Sequence, residues 1–152
     1  MQITLAHIGM RTQRGGAKAG YEALTAMYVE RTQAYAAMRV EMHRTEEELG
    51  NWLTKQRGRA PVVLAVLDSR GKQLTSEGFA EWLGRQRDGG AQQVVVAVGP
   101  ADGWSDDFLE KAQMVLSFGA MTMAHELARL AAAEQVYRAC TILAGHPYHG
   151  GH

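Results

Sequence analysis

Pro61-Val62-Val63-Leu64-Ala65-Val66-Leu67 is an unbroken apolar run, short and rich in β-branched residues. A strand with water on one face alternates apolar and polar side chains. An unbroken run is the pattern of a strand covered on both faces, as in a parallel sheet held between helices. A second such run, Val94-Val95-Val96-Ala97-Val98, lies downstream. Between the two, Asp68-Ser69-Arg70-Gly71-Lys72 reads as a turn. Thr75 or Ser76 then starts a helix carrying Phe79, Trp82 and Leu83, and Gly89-Gly90 breaks it.

The same alternation extends outward in both directions. Ile3 to Ile8 reads as a first strand ended by Gly9. A helix is predicted from about Lys18 to Tyr35, with Tyr21, Leu24, Tyr28 and Val29 roughly on one face. Met38 to Met42 alternates like a half-buried strand, and Thr45 with Glu48 makes a capping box for a helix through Leu49, Trp52 and Leu53. After the second run come the loop Gly99-Pro100-Ala101-Asp102-Gly103-Trp104 and a helix capped by Ser105. Val115 to Met123 follows, short and apolar, with a loop-like middle at Phe118-Gly119-Ala120. A terminal helix begins near Met123 or Ala124 and stops at Gly145. Strands separated by helices predict an α/β fold, a parallel sheet with helices on both faces. No repeat or linker divides the 152 residues, so 1–152 reads as one domain.

Composition narrows the function. No apolar run is long enough to span a bilayer, and Met1 to Leu5 lacks the features of a signal peptide. The one cysteine, Cys140, sits mid-helix and can form no internal disulfide, which suits a reduced thiol in the cytoplasm. Formal net charge is zero, which argues against holding nucleic acid by charge alone. The charge is uneven: 13 Lys/Arg against 10 Asp/Glu up to residue 100, then Lys111, Arg129 and Arg138 against six acids. Contact with RNA would therefore be local and dependent on shape, or would rely on a partner already bound.

In open parallel sheets ligands bind beyond the carboxyl ends of the strands. Three segments meet that description: Leu67-Asp68, Gly99 to Gly103, and Phe118 to Met123. None carries a dinucleotide or triphosphate glycine motif. Glycine-bearing, apolar and poor in cations, they suit a flat neutral ring held by backbone amides, although Gly99 and Gly103 taken alone read as plain turn chemistry. The tail His146-Pro147-Tyr148-His149-Gly150-Gly151-His152 is the other candidate. A helix stop followed by proline holds two histidines and a tyrosine close together. Three imidazoles without a convincing fourth ligand make a poor metal centre, so acid–base, hydrogen-bonding or stacking roles for Tyr148 and His149 fit better. Arg138 four residues after Glu134 also reads as a plain helix-surface ion pair. His125, near a helix start, reads as structural or solvent-facing.

From about Val62 to His149 these motifs resemble, in order and spacing, the bacterial SPOUT-class methyltransferases that modify N3 of pseudouridine in large-subunit ribosomal RNA. The residues carrying the likeness are Leu67-Asp68 with Gly71-Lys72, the Gly99 to Gly103 loop, Thr122, Glu134-x-x-Tyr137-Arg138-Ala139 and His146-Pro147-Tyr148-His149. The first sixty residues resemble the family only in layout. The resemblance implies a SPOUT-type parallel sheet flanked by helices with a C-terminal trefoil knot, a cytoplasmic homodimer with its active site at the subunit interface, and S-adenosylmethionine as methyl donor. It also implies 23S rRNA within the ribosome as substrate, with neither DNA nor membrane as a partner.

Carried over residue by residue, Leu67, Gly99, Phe118, Gly119, Ala120, Met121, Thr122 and Met123 would bind the cofactor. Arg138, Tyr148 and His149 would be catalytic. Two positions depart from the family pattern: Pro100 stands where a second glycine is usual, and Gly150-Gly151-His152 where a basic residue normally ends the tail. Two other readings of the same residues are a SPOUT enzyme for another RNA nucleotide and a catalytically silent RNA- or ribosome-binding module.

Overall fold

In the computed structural model, which describes residues 1–9, 16–100 and 102–150, five parallel strands alternate with five helices. The order is β1 (Gln2–Ile8), α1 (Gly16–Thr32), β2 (Ala37–His43), α2 (Glu46–Arg57), β3 (Val62–Gln73), α3 (Ser76–Asp88), β4 (Gln93–Val98), α4 (Asp106–Glu110), β5 (Met114–Ser117) and α5 (His125–Leu143). Across the sheet the strands run β2-β1-β4-β3-β5. The two unbroken apolar runs are therefore neighbours near the centre, paired in register from Val62 against Gln93 to Leu67 against Val98. Ala101, Gly151 and His152 lie outside the described residues.

Both faces of the sheet are covered, which is why those runs carry no polar alternation. Val94, Val96 and Val98 point into a core with Ile3, Leu5, Phe79 and Val136, beneath α1, α3 and α5. Val95 and Ala97 point the opposite way, with Leu49, Leu53, Leu64 and Phe108, beneath α2 and α4. Each fully buried valine or leucine contributes roughly 1.5–3 kcal/mol of transfer free energy. A charge at any of these positions would leave the sheet without one of its two cores. Cys140 lies in the first core, where burial raises its thiol to about 11.

Three local signals hold in detail. Thr45 accepts the Glu48 amide at 3.1 Å, and Glu48 reaches back to the Arg44 amide at 3.0 Å, one residue earlier than the reciprocal bond of an ordinary capping box. Thr75 caps α3 through the Gly78 amide, and Ser105 caps α4 through the Phe108 amide. At the end of α5, Gly145 takes φ +71°. Its amide bonds Ile142 O and the His146 amide bonds Thr141 O, completing a Schellman stop.

Two expectations need correction. The first helix ends at Thr32, short of Tyr35. The Gln33 side chain pairs with both the N–H and the carbonyl of Met38, drawing the chain straight into β2. The turn expected at 68–72 is a bulge inside a longer β3: pairing with β5 stops at Leu67, resumes at Lys72, and residues 68–71 loop out. Gly71 permits this, since a Cβ there would stand 2.6 Å from the Val115 carbonyl carbon and oxygen. Gly71→Ala should therefore lower stability by about 2 kcal/mol or more, because backbone cannot yield as a side-chain tip can. Urea unfolding of the two proteins would measure it, and an unchanged midpoint would show that the bulge tolerates a methyl group.

Candidate functional site

Parallel pairing places the carboxyl ends of the inner strands on one edge of the sheet. His7 of β1 pairs with Val98 of β4, Val98 with Leu67 of β3, and Leu67 with Leu116 of β5. This single row puts the three candidate loops side by side, each beginning one or two residues beyond it.

Leu67 and Gly99 are joined by a residue the sequence reading passed over. The indole N–H of Trp104 donates to the Leu67 carbonyl at 3.0 Å, and Trp104 stacks on Phe108 with ring centroids 4.3 Å apart. A Cβ on Gly99 would fall 2.5 Å from the indole nitrogen, so Gly99 is small because Trp104 lies against it. Asp68 anchors the same loop. Its carboxylate accepts from Arg70 Nε at 2.8 Å, Arg70 Nη2 at 3.0 Å, the Arg70 amide and the Trp104 amide. Arg70 also donates to the Trp104 carbonyl and to Asp106. Pro100 does not disturb this loop: its carbonyl accepts the Gly103 amide at 2.9 Å, and Gly103 takes φ +80°. The polar spacing Asp68-x-Arg70 and the aromatic pair Trp104 and Phe108 were the available signals.

The Phe118–Met123 segment is less buried. Gly119, at φ +118°, is held through its amide and carbonyl by the Ser117 hydroxyl. Phe118 and Met123 line a pocket of about 310 Å³ with Leu116, Ser117, Ser76 and Gln135. Met121 is 91% exposed, and Ala120 and Thr122 are exposed too. Leu67 and Gly99 do not line this pocket. Among the described residues the cofactor set is thus aligned along one edge but divided between two patches.

The tail forms a compact network. Glu134 Oε1 accepts Arg138 Nε at 2.9 Å, Arg138 Nη2 at 2.6 Å and the Tyr148 hydroxyl at 3.0 Å. The third guanidinium nitrogen of Arg138, Nη1, lies 2.9 Å from His149 Nδ1, and His149 Nε2 lies 2.6 Å from Glu77 Oε1. Arginine only donates and a carboxylate only accepts, so His149 carries its proton on Nε2 and presents Nδ1 as acceptor. Arg138 also sits over the Tyr148 ring at 4.9 Å, and Tyr148 meets Tyr137 edge-on at 4.8 Å. Burial pushes the Tyr148 phenol upward, assisted by Tyr28 and Glu134, so it stays a protonated donor. The bond from Glu134 raises Arg138, and the bond from His149 lowers Glu77. The ion pair between Glu134 and Arg138 is present, but it also aims Nη1 at the tail.

The structure brings Arg138, Tyr148 and His149 together and adds Glu77 and Glu134. Gln135, which bonds Glu134 on one side and Ser76 on the other, links them to the Phe118 pocket. His125, half-buried, is held structurally: its ring bonds the Gly99 carbonyl at 3.1 Å and contacts His7 at 3.4 Å.

Asp68 titrates at about 2, below the ordinary 3.8, chiefly because Arg70 bonds its charged form, with the Trp104 amide assisting. A depressed carboxylate stabilises the fold above its unfolded value and loses that contribution as pH falls through the folded one. Asp68→Asn should thus cost about 1–2 kcal/mol at pH 7, discounted because Arg70 is half exposed, with the difference closing between about pH 4 and pH 2. Thermal unfolding across that range would check it; a gap that persists at pH 2 would point to a cause other than ionisation.

Residues 1–149 match the family described as "Predicted SPOUT methyltransferase". A protein of Koribacter versatilis named Ribosomal RNA large subunit methyltransferase H is 47% identical over 131 residues, 86% of this chain and 89% of that one. Its namesake in Brucella ovis is 46% identical over 109 residues, 72% of this chain and 64% of the relative's length. Among solved structures, the SpoU methyltransferase AviRb from Streptomyces viridochromogenes, crystallised with AdoMet, superimposes with a TM-score of 0.50 at 12% identity, covering 96% of this chain and 58% of that one. A probable methylase family protein from Haemophilus influenzae Rd KW20 gives 0.51 at 7% identity, covering 97% and 69%. At such identities the likeness concerns the fold alone.

Proposed function

The chain belongs to the SPOUT methyltransferase family, and on that premise we propose that it methylates N3 of a pseudouridine in 23S rRNA of the large ribosomal subunit, with S-adenosylmethionine as methyl donor. The observation that carries the reading is the pair formed by Arg138 Nη1 and His149 Nδ1, a donor and an acceptor 2.9 Å apart. In pseudouridine N3–H lies between two carbonyl groups, so an adjacent donor and acceptor match one carbonyl and the N–H beside it. The 47% identity to a protein named as a large-subunit rRNA methyltransferase supports the same substrate.

The edge loops suit the cofactor. Gly119 leaves backbone open to a ligand, and Phe118, Met121 and Met123 expose apolar surface that a ring could cover. Leu67, Gly99 and residues Phe118 to Met123 would hold it. The sulfonium supplies an already activated methyl group, so the protein's task is the nucleophile.

Substrate entry exchanges the Arg138–His149 contact for contacts with the base. Nη1 turns to a carbonyl oxygen, where it stabilises the charge that develops as the ring loses its proton. Nδ1 of His149 accepts the N3 proton, and Glu77 on Nε2 steadies the resulting imidazolium. Tyr148, held protonated, orients the base by packing and does not act as base itself. Glu134 fixes two of the three nitrogens of Arg138 and so leaves Nη1 the free choice of partner.

The division of the proposed cofactor residues between two patches supports a homodimer in which one subunit's tail completes the other's pocket. Exposed Leu24, Tyr35 and Leu127 on α1, the turn after it and α5 are surface that such a partner would cover. α5 packs between α1 and α3, and the knotted C-terminus belongs to this reading through the family likeness. A cytoplasmic location follows from a ribosomal substrate.

Radiolabelled methyl transfer to ribosomes lacking the modification, followed by nucleotide mapping, tests the reading directly. Label should fall on a single pseudouridine; label elsewhere in RNA would assign another nucleotide, and none would leave a silent binding module. His149→Ala should lower turnover about 10²–10⁴-fold with cofactor binding unchanged, the usual range for a positioned base. Full turnover in that variant would remove the histidine from the mechanism. With zero net charge, the chain should also methylate assembled large subunits at least about tenfold faster than naked 23S rRNA. Equal initial rates on the two would contradict that preference.

A further inference from the structure

Four buried side-chain atoms among the described residues have no hydrogen-bond partner, and three of them belong to residues that line one pocket away from the tail. They are Thr25 Oγ1, Arg129 Nε and Arg129 Nη2. Arg129 is 8% exposed and Thr25 4% exposed. The pocket, about 320 Å³, lies where the carboxyl end of β1 meets α1, β2 and the first turns of α5. Buried polar groups in folded proteins are nearly always satisfied, so three orphans around one space mark something that space is built to hold.

The orphaned atoms have a particular geometry. Nε–H and Nη2–H of a guanidinium point the same way from one edge, the fork that takes two oxygens of a carboxylate or phosphate. The remaining nitrogen, Nη1, is occupied. It lies 3.4 Å from His7 Nε2, His7 Nδ1 lies 3.4 Å from His125 Nε2, and His125 Nδ1 lies 3.1 Å from the Gly99 carbonyl. Arginine must donate and the carbonyl must accept, so with neutral rings one tautomer assignment satisfies every link. Both rings carry the proton on Nδ1 and accept on Nε2. His7 is held neutral at about 3, first by burial and then by the charge of Arg129. It therefore orients the guanidinium without neutralising it.

No carboxylate among the described residues lies within ion-pair distance of Arg129. Glu22 and Glu126 border the same pocket without reaching it, and Lys18 borders it as well. The relay ends on Gly99, a residue of the proposed cofactor edge, which ties the orphaned fork to the transfer reaction.

We propose that the Nε/Nη2 edge of Arg129, with the Thr25 hydroxyl, binds a two-oxygen anion brought by a substrate of the reaction. This rests on the function proposed above. Two sources share that chemistry: a phosphodiester of the RNA and the carboxylate at the methionine end of S-adenosylmethionine.

The test uses the full chain, with Arg129→Met, Arg129→Lys and Thr25→Val compared with the unmodified protein. Calorimetry gives the affinity for S-adenosylmethionine, and steady-state methyl transfer gives KM for unmethylated large subunits. Both arginine variants should lose about tenfold or more in one of the two quantities and keep the other, because lysine retains the charge but lacks the two-pronged edge. A loss in cofactor affinity assigns the cofactor carboxylate, and a rise in KM assigns the RNA phosphate. Thr25→Val should lose about threefold in the same quantity, and it carries the test if the arginine variants do not fold. Unchanged cofactor affinity and KM in all three would overturn the proposal. So would loss of both together with a lowered melting temperature, the mark of a structural residue. Failure of the unmodified protein to bind cofactor or to methylate would refute the function itself and overturn this proposal with it, an outcome set apart because it needs no variant.

Discussion

Everything chemical in this protein depends on parallel strand pairing. A parallel ladder fixes direction as well as register, so once Val98 lies beside Leu67 and His7, the segments that follow all leave the sheet from one edge. Antiparallel pairing would have sent neighbouring loops to opposite ends. The central strands are buried on both faces, which makes their register costly to change: a shift of one residue would exchange the side chains of the two cores. The loops inherit that rigidity. Trp104 and Asp68 extend it past the last strand hydrogen bonds, so the Gly99 loop is clamped to β3 and is not a free connection.

The second device is the end of α5. A Schellman stop fixes the exit angle of the chain, and Glu134 then collects two nitrogens of Arg138 and the Tyr148 hydroxyl on one oxygen. A short tail on its own would lose too much conformational entropy on ordering to hold a catalytic geometry. Here most of that ordering is done by groups on the helix itself, with Tyr137 packed edge-on beneath Tyr148. Glu77 from α3 closes the last side. The result is an arginine with two nitrogens committed and a third facing a histidine.

Much of this was legible in the sequence, and the physical reason is that the signals are local. Unbroken apolar runs report two-sided burial, Thr and Ser report helix starts, and Gly145-His146-Pro147 reports a helix stop, each within a few residues. What escaped were pairings between distant segments. Asp68 and Arg70 read as a turn because their spacing suits one, and only the partner strand β5, resuming at Lys72, reveals a bulge. Trp104 read as a loop residue, since nothing nearby announces that its indole caps Leu67 and crowds Gly99. Glu77 could not be tied to His149 across the intervening residues, nor His7 to Arg129. The motif resemblance supplied Arg138, Tyr148 and His149 as a set, but their order of contact is a matter of side-chain geometry.

The two arginines of α5 show how differently one helix can treat the same charge. Nine residues apart, they lie about 13 Å along the axis and on roughly opposite sides of the helix. Arg138, half-buried, meets a carboxylate, a histidine and an aromatic face, and each of its nitrogens has a partner. Arg129 is more deeply buried, yet among the described residues it meets only the edge of a neutral histidine. If burial alone had shaped both positions, the deeper charge would be the better compensated, because desolvation grows with depth while the charge itself cannot be shed. The reverse is found. A fold that satisfies its outer arginine completely and leaves a two-donor fork unanswered on its inner one has set the second charge aside for a group that arrives from outside. The histidine relay to Gly99 places that arrival next to the edge where the proposed cofactor loops begin.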